Sequence, residues 1–135
     1  MANIVRLLSD INLRCAATET SIAKVQEQLG LNLPADYVAF LRRTNGGEGF
    51  VGQQYVIFWG VDELPSMNCD YEVEMYAPGL LVFGSSGGGE AYGFDTRSSQ
   101  WPVVSMPFVG MEWEVAEPMG PTFDAFLERL YETRQ

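Results

Sequence analysis

The sequence predicts an α+β fold: a single domain, residues 1–135, on a twisted, mainly antiparallel sheet with helices from both chain ends packed on it. Three observations predict it. Apolar residues recur at helical spacing towards both ends of the chain. Extended aromatic and β-branched runs fill the middle. Glycine and proline clusters separate those runs without the long crossovers that parallel strands need. The 135 residues are 47% hydrophobic and 19% charged, a balance that suits one core able to bury roughly two thirds of the unfolded chain's surface.

The first helix is expected over about Ser21 to Leu29, where Ile22, Val25 and Leu29 share a face and Gly30 stands ready as the left-handed stop. A second starts near Pro34, whose fixed φ suits a first turn, with Asp36 at the positive end of the dipole and Arg42 and Arg43 at the negative end. Asn45, Gly46 and Gly47 stop it, and Thr44 to Gly52 reads as a loop. The period then becomes extended. Tyr55 to Trp59 (YVIFW) is apolar on both faces, as in a strand buried between two layers. Leu80 to Phe83, Ala91 to Asp95 and Val103 to Phe108 follow as strands, with loops at Ala77 to Gly89 and Pro118 to Pro121. Met111, Trp113 and Val115 alternate with Glu112 and Glu114, which predicts an inward apolar face and two outward carboxylates. Thr122 caps a closing helix striped by Phe123, Phe126, Leu127 and Leu130.

Charge narrows the function classes. Against 18 acidic residues stand 8 basic ones, a net charge of -10. Between Thr44 and Glu128 there are 13 acidic side chains and a single basic one, Arg97, so the acidity belongs to the sheet and its loops. Affinity for nucleic acid and for anionic membranes comes mainly from basic side chains, so neither is an expected partner. A basic protein is the natural complement, because opposite potentials speed encounter and exclude wrong partners. No apolar run reaches the roughly 18 residues of a membrane span, and the amino terminus lacks the pattern of a signal peptide, so the expected location is cytoplasmic.

The absence of histidine removes Ser-His-Asp and Cys-His catalysis and imidazole zinc sites. Cys15 and Cys69 form no CxxC pair and are expected as small buried hydrophobes. The run Gly84-Ser85-Ser86-Gly87-Gly88-Gly89-Glu90 lacks the lysine of a phosphate-binding loop and ends on a repelling carboxylate, so it reads as a turn. Glu90 and Asp95 are expected to hold that turn through backbone N–H groups. Asp70, Glu72 and Glu74, taken as extended, share one face at about 7 Å intervals, too widely spaced to ligate one cation together. Trp59, Trp101 and Trp113 are expected as packing residues. No cofactor, metal site or catalytic residue is assigned.

The order of motifs resembles the SMI/KNR family of the SUKH superfamily. VQEQLGLNLPADYVAFLRRTNGG from Val25 is similar to the family's opening, FWGVDEL from Phe58, YAPGLLVFGSSGGGEAYGFD from Tyr76 and WPVV from Trp101 to its central strands, and TFDAFLERL from Thr122 to its closing helix. The resemblance runs from about Ser21 to Tyr131; Gln26 departs from it, standing where many members carry Glu. It implies a non-enzymatic immunity-type protein that binds and neutralises a cognate polymorphic toxin, or a regulatory or scaffold module like the fungal cell-wall assembly regulators. Many such toxins are nucleases or deaminases with basic grooves. Outward carboxylates among Glu63, Glu72, Glu74, Glu112 and Glu114 are the expected partner-binding residues. Pro34, Tyr37, Leu41, Asn45, Gly46, Gly88, Gly89, Tyr92 and Phe94 read as fold determinants. A hydrolase using paired carboxylates or a metal is the remaining alternative.

Overall fold

A computed structural model describes residues 4–133. The chain runs α1 (Ile4–Leu7), β1 (Asp10–Leu13), α2 (Glu19–Leu29), α3 (Ala35–Arg43), β2 (Gly47–Val51), β3 (Gln54–Phe58), α4 (Leu64–Asp70), α5 (Val73–Tyr76), β4 (Leu80–Ser85), β5 (Glu90–Asp95), β6 (Val103–Pro107), β7 (Glu117–Gly120) and α6 (Phe123–Glu132), with 3₁₀ turns at Val61–Glu63 and Trp113–Val115. The seven strands lie in sequence order in one antiparallel sheet. The α+β architecture is the one expected.

The helices begin where side chains can replace missing backbone partners. Thr18 caps α2 by accepting from the Ser21 N–H, so that α2 begins at Glu19, two residues ahead of the expected start, and Thr122 caps α6 through the Ala125 N–H. Asp36 joins two helices: one carboxylate oxygen accepts the Tyr37 N–H at 2.8 Å and the other accepts the Asp124 N–H, the first turn of α6, at 3.0 Å. That shared carboxylate sets α3 beside α6. Between these helices and the sheet, Tyr37 and Phe40 meet Phe58, Phe83, Phe94 and Phe123, with ring centroids 4.8–6.2 Å apart in tilted or edge-on arrangements, except the stacked Tyr37–Phe40 pair.

Several local expectations are corrected. Thr44 to Gly52 is not a loop throughout, because Gly47 to Val51 pairs with β1 and β3. Its glycines are steric: a Cβ on Gly47 would come within 2.6 Å of the Asn12 carbonyl oxygen, and periodicity reads small residues as gaps. The Tyr55 to Trp59 run is not buried on both faces along its length, since Tyr55 is exposed and Ile57 half-buried while Val56, Phe58 and Trp59 are enclosed. Val115 is exposed, and Met111 to Val115 ends in a 3₁₀ turn instead of a strand. Asp70 to Met75 is helical, not extended: Asp70 ends α4, Glu72 turns through a left-handed conformation with φ of 55°, and Val73 starts α5. Pro118 to Pro121, expected as a loop, lies largely in the edge strand β7, Glu117–Gly120, where a proline costs no ladder donor.

Candidate functional site

The α4–α5 corner and the connection from β6 to β7 lie side by side. The Tyr71 ring sits 4.4 Å from Phe108 and stacks at 6.1 Å on Trp59, the buried residue that follows β3. Further along the same two segments, Trp113 Nε1 donates to the Pro78 carbonyl at 2.8 Å, and the Arg97 guanidinium lies over the Trp113 ring at 3.5 Å. Aromatic contacts at both ends therefore hold residues 70–78 against residues 108–113.

This join gathers most of the sequence-predicted site residues. Glu72, Glu74, Glu112 and Glu114 are all exposed on these two segments, as is Asp70. Among the described residues the carboxylates of Asp70, Glu72, Glu112 and Glu114 make no hydrogen bond or ion pair, and that of Glu74 makes one long contact, accepting the Gly79 N–H at 3.4 Å. Between them stand Tyr71, Met75, Tyr76, Val109 and Val115, exposed by 43% to 91%. Sequence reasoning missed these apolar neighbours. Their signal was present in DYEVEMY, where apolar and acidic residues interleave, but an extended reading turns the apolar ones inward. A short helix leaves them outside.

Glu63 is differently placed. Its carboxylate accepts the Gly60 N–H at 2.8 Å and an Arg14 nitrogen at 3.2 Å, while the Gly60 carbonyl accepts the Glu63 N–H. That reciprocal cap closes the 3₁₀ turn before α4. Asn45 reinforces the same turn, accepting the Val61 N–H at 2.7 Å and donating to Asp62 at 3.1 Å.

Glu90 and Asp95 do not hold the glycine turn. Ser85 and Ser86 do, their hydroxyls accepting the N–H groups of Gly87, Gly88 and Glu90. Asp95 instead takes the Arg97 backbone N–H and its guanidinium, which holds the Asp95 carboxyl below its ordinary value, with burial opposing in part. Both cysteines are exposed, correcting their expected burial: Cys15 lies in the connector before α2 and Cys69 at the end of α4 beside the solvent-facing α4–α5 corner. Trp101 takes a positive φ of 50° and leans on Phe94.

Glu90 and Glu117 flank a hollow with Tyr92 and Ser105. Both carboxylates face solvent. Among the described residues no cluster of three or more His, Cys, Asp or Glu could hold a metal ion, and no helix is long and apolar enough to cross a membrane.

A comparison with curated proteins yields no match. The family model described as the SMI1 / KNR4 family (SUKH-1) matches residues 16–129, most of the chain and every strand from β2 to β7. The chain belongs to the SMI1 / KNR4 family (SUKH-1).

Proposed function

We propose that the protein is a non-enzymatic, immunity-type binding protein that neutralises a cognate toxin, and that it does so through the surface formed by residues 70–78 and 108–115. Family membership is consistent with an immunity or regulatory role. The observation that carries the reading is the set of unpaired carboxylates around exposed Tyr71, Met75, Tyr76 and Val109. Interfaces draw their energy from a few apolar and aromatic anchors, and charge around them sets partner choice and encounter rate. A carboxylate without an internal cation is available to an external one. The complement is a basic protein surface, such as the groove with which a nuclease or deaminase holds nucleic acid.

Glu72 adds support. A non-glycine residue at φ 55° costs backbone energy, and strained positions cluster at functional surfaces. Glycine would relax this corner, yet a glutamate occupies it.

The test is co-purification with the product of the adjacent gene, in low and high salt, for the unaltered chain and for Glu72→Lys/Glu112→Lys/Glu114→Lys. The expected result is a complex whose affinity falls with salt, about tenfold or more weaker for the triple variant at low salt, and a loss of protection when the variant is co-expressed with the toxin. Unchanged affinity and protection in the triple variant would overturn the reading.

A further inference from the structure

A groove of about 350 Å³ opens beside this surface, between the end of α2 and the α4–α5 corner. Leu29, Leu31, Val73, Leu80 and Leu81 form its apolar walls, and the exposed Glu74 stands among its lining residues. Among the described residues no lysine or arginine lines it. The nearby cation, Arg97, is already held on Asp95 and stacked over Trp113. We propose that this groove is an anchor site for one long basic side chain, arginine or lysine, of the protein partner; the proposal rests on the docking role of the neighbouring acidic surface.

The chemistry of the groove selects that occupant. Its volume lies at the small end of the roughly 300–1,000 Å³ range of ligand cavities, enough for a single long side chain. An aliphatic side chain would fill the walls but leave Glu74 unmatched. An acidic one would meet Glu74 and, at the end of α4, Asp70 with like charge. Arginine and lysine carry both halves, an apolar stem of three or four methylenes and a charged head that stays at the mouth. Glu74 is committed internally only to the long Gly79 contact at 3.4 Å, so the head gains a charge-assisted partner at little internal loss. Leu29 and Leu31 remain half-buried in the free protein, and the stem would complete their cover. A basic anchor here also fixes register: it sets the partner against one end of the acidic surface, where charge alone would allow sliding.

The test uses the full ¹⁵N-labelled chain titrated with Nα-acetyl-arginine methylamide, with Nα-acetyl-norleucine methylamide as the apolar stem alone and guanidinium ion as the cation alone. The expected result is saturable shifts confined to the amides of Leu29, Leu31, Cys69, Glu74 and Leu80, strongest for the arginine compound. Glu74→Gln should weaken that compound by about threefold to fivefold, the size of one exposed ion pair, and leave the norleucine compound unchanged. Unsaturable shifts spread over the acidic surface, or equal arginine affinity in Glu74→Gln, would overturn the anchor. The two proposals fail separately: if Glu72→Lys/Glu112→Lys/Glu114→Lys abolishes partner binding while Glu74→Gln leaves the arginine compound unaffected, the docking surface stands and the anchor does not.

Discussion

The side-chain amide of Asn68 closes both backbone groups of Val82: Nδ2 donates to the Val82 carbonyl and Oδ1 accepts the Val82 N–H, each at 2.9 Å. β3 pairs with β4 only at Ile57–Ser85 and Phe58–Gly84, so the earlier half of β4 would otherwise present bare ladder groups. Asn68 acts there as a one-residue strand, and the same Nδ2 also donates to the Leu64 carbonyl within α4. The helix that carries the candidate surface is thereby fixed to the sheet.

Asn68→Ala should therefore be costly despite the residue's partial exposure. Val82 is fully buried, and each stranded backbone group costs about 1–3 kcal/mol, so a loss of roughly 2 kcal/mol or more is expected in urea unfolding. Asn68→Asp keeps an acceptor for the Val82 N–H but sets a second anionic oxygen against the Val82 carbonyl. Its defect should shrink once the solution is acidic enough to protonate the carboxyl, which the same experiment at falling pH will read.

Tyr37 makes the opposite prediction. Its hydroxyl is buried and has no hydrogen-bond partner among the described residues, and burial pushes its ionisation far above the ordinary phenol value. The ring meanwhile contacts Phe40, Phe83, Phe94 and Phe123. Tyr37→Phe keeps those contacts and removes an uncompensated polar group, so stability should hold or rise by about 1 kcal/mol. Tyr37→Ala should cost about 3–5 kcal/mol through the cavity it opens. Thermal unfolding of the two variants separates hydroxyl from ring.

Asn45, Gly46 and Tyr37 show why much of the fold is legible in the sequence. A side chain that caps a turn, a glycine at φ 84° whose Cβ would meet the Phe58 carbonyl oxygen at 2.6 Å, and an aromatic at helical spacing each satisfy a local rule that leaves a local trace. Asn68 leaves none, because its partner lies fourteen residues away on a strand whose incomplete pairing is visible only in three dimensions. The same limit governs the candidate site. The acidity of residues 70–74 and 112–114 is plain in the chain, but their adjacency depends on Tyr71 meeting Phe108 and Trp113 meeting Pro78. Glu63 looks like its acidic neighbours in sequence; only the Gly60 and Arg14 contacts set it apart.

The Asp95–Arg97 pair gives the pH prediction. Arg97 lowers the Asp95 carboxyl in the folded protein, by side-chain hydrogen bonds first and its backbone N–H after them. A folded value below the unfolded one means a stabilisation that is present above about pH 4, the ordinary aspartate range, and is lost as pH falls through the lowered folded value. Arg97→Gln should thus be less stable than the unaltered chain at neutral pH, and the gap should narrow below about pH 4. It should not close entirely, because the lost stacking over Trp113 is independent of pH. Unfolding midpoints measured at a series of pH values check both parts.

Glu72 separates stability from binding. Its left-handed backbone at φ 55° joins α4 to α5, and its carboxylate has no partner among the described residues, so the folded chain gains nothing visible from a side chain there. Glycine adopts that conformation without the Cβ clash worth about 1–2 kcal/mol, though it also gives the unfolded chain more freedom. Glu72→Gly should therefore unfold at equal or higher urea concentration. If the surface docks a basic partner, the same variant should bind more weakly and with a shallower salt dependence, since one of the facing carboxylates is gone. Glu63→Ala gives the converse pattern: it removes the cap on Gly60 and the Arg14 contact, lowering stability by about 1 kcal/mol while leaving the docking carboxylates in place. Opposite movement of stability and affinity in these two variants distinguishes a glutamate kept for a partner from one kept for the fold, and parallel movement would sink that distinction.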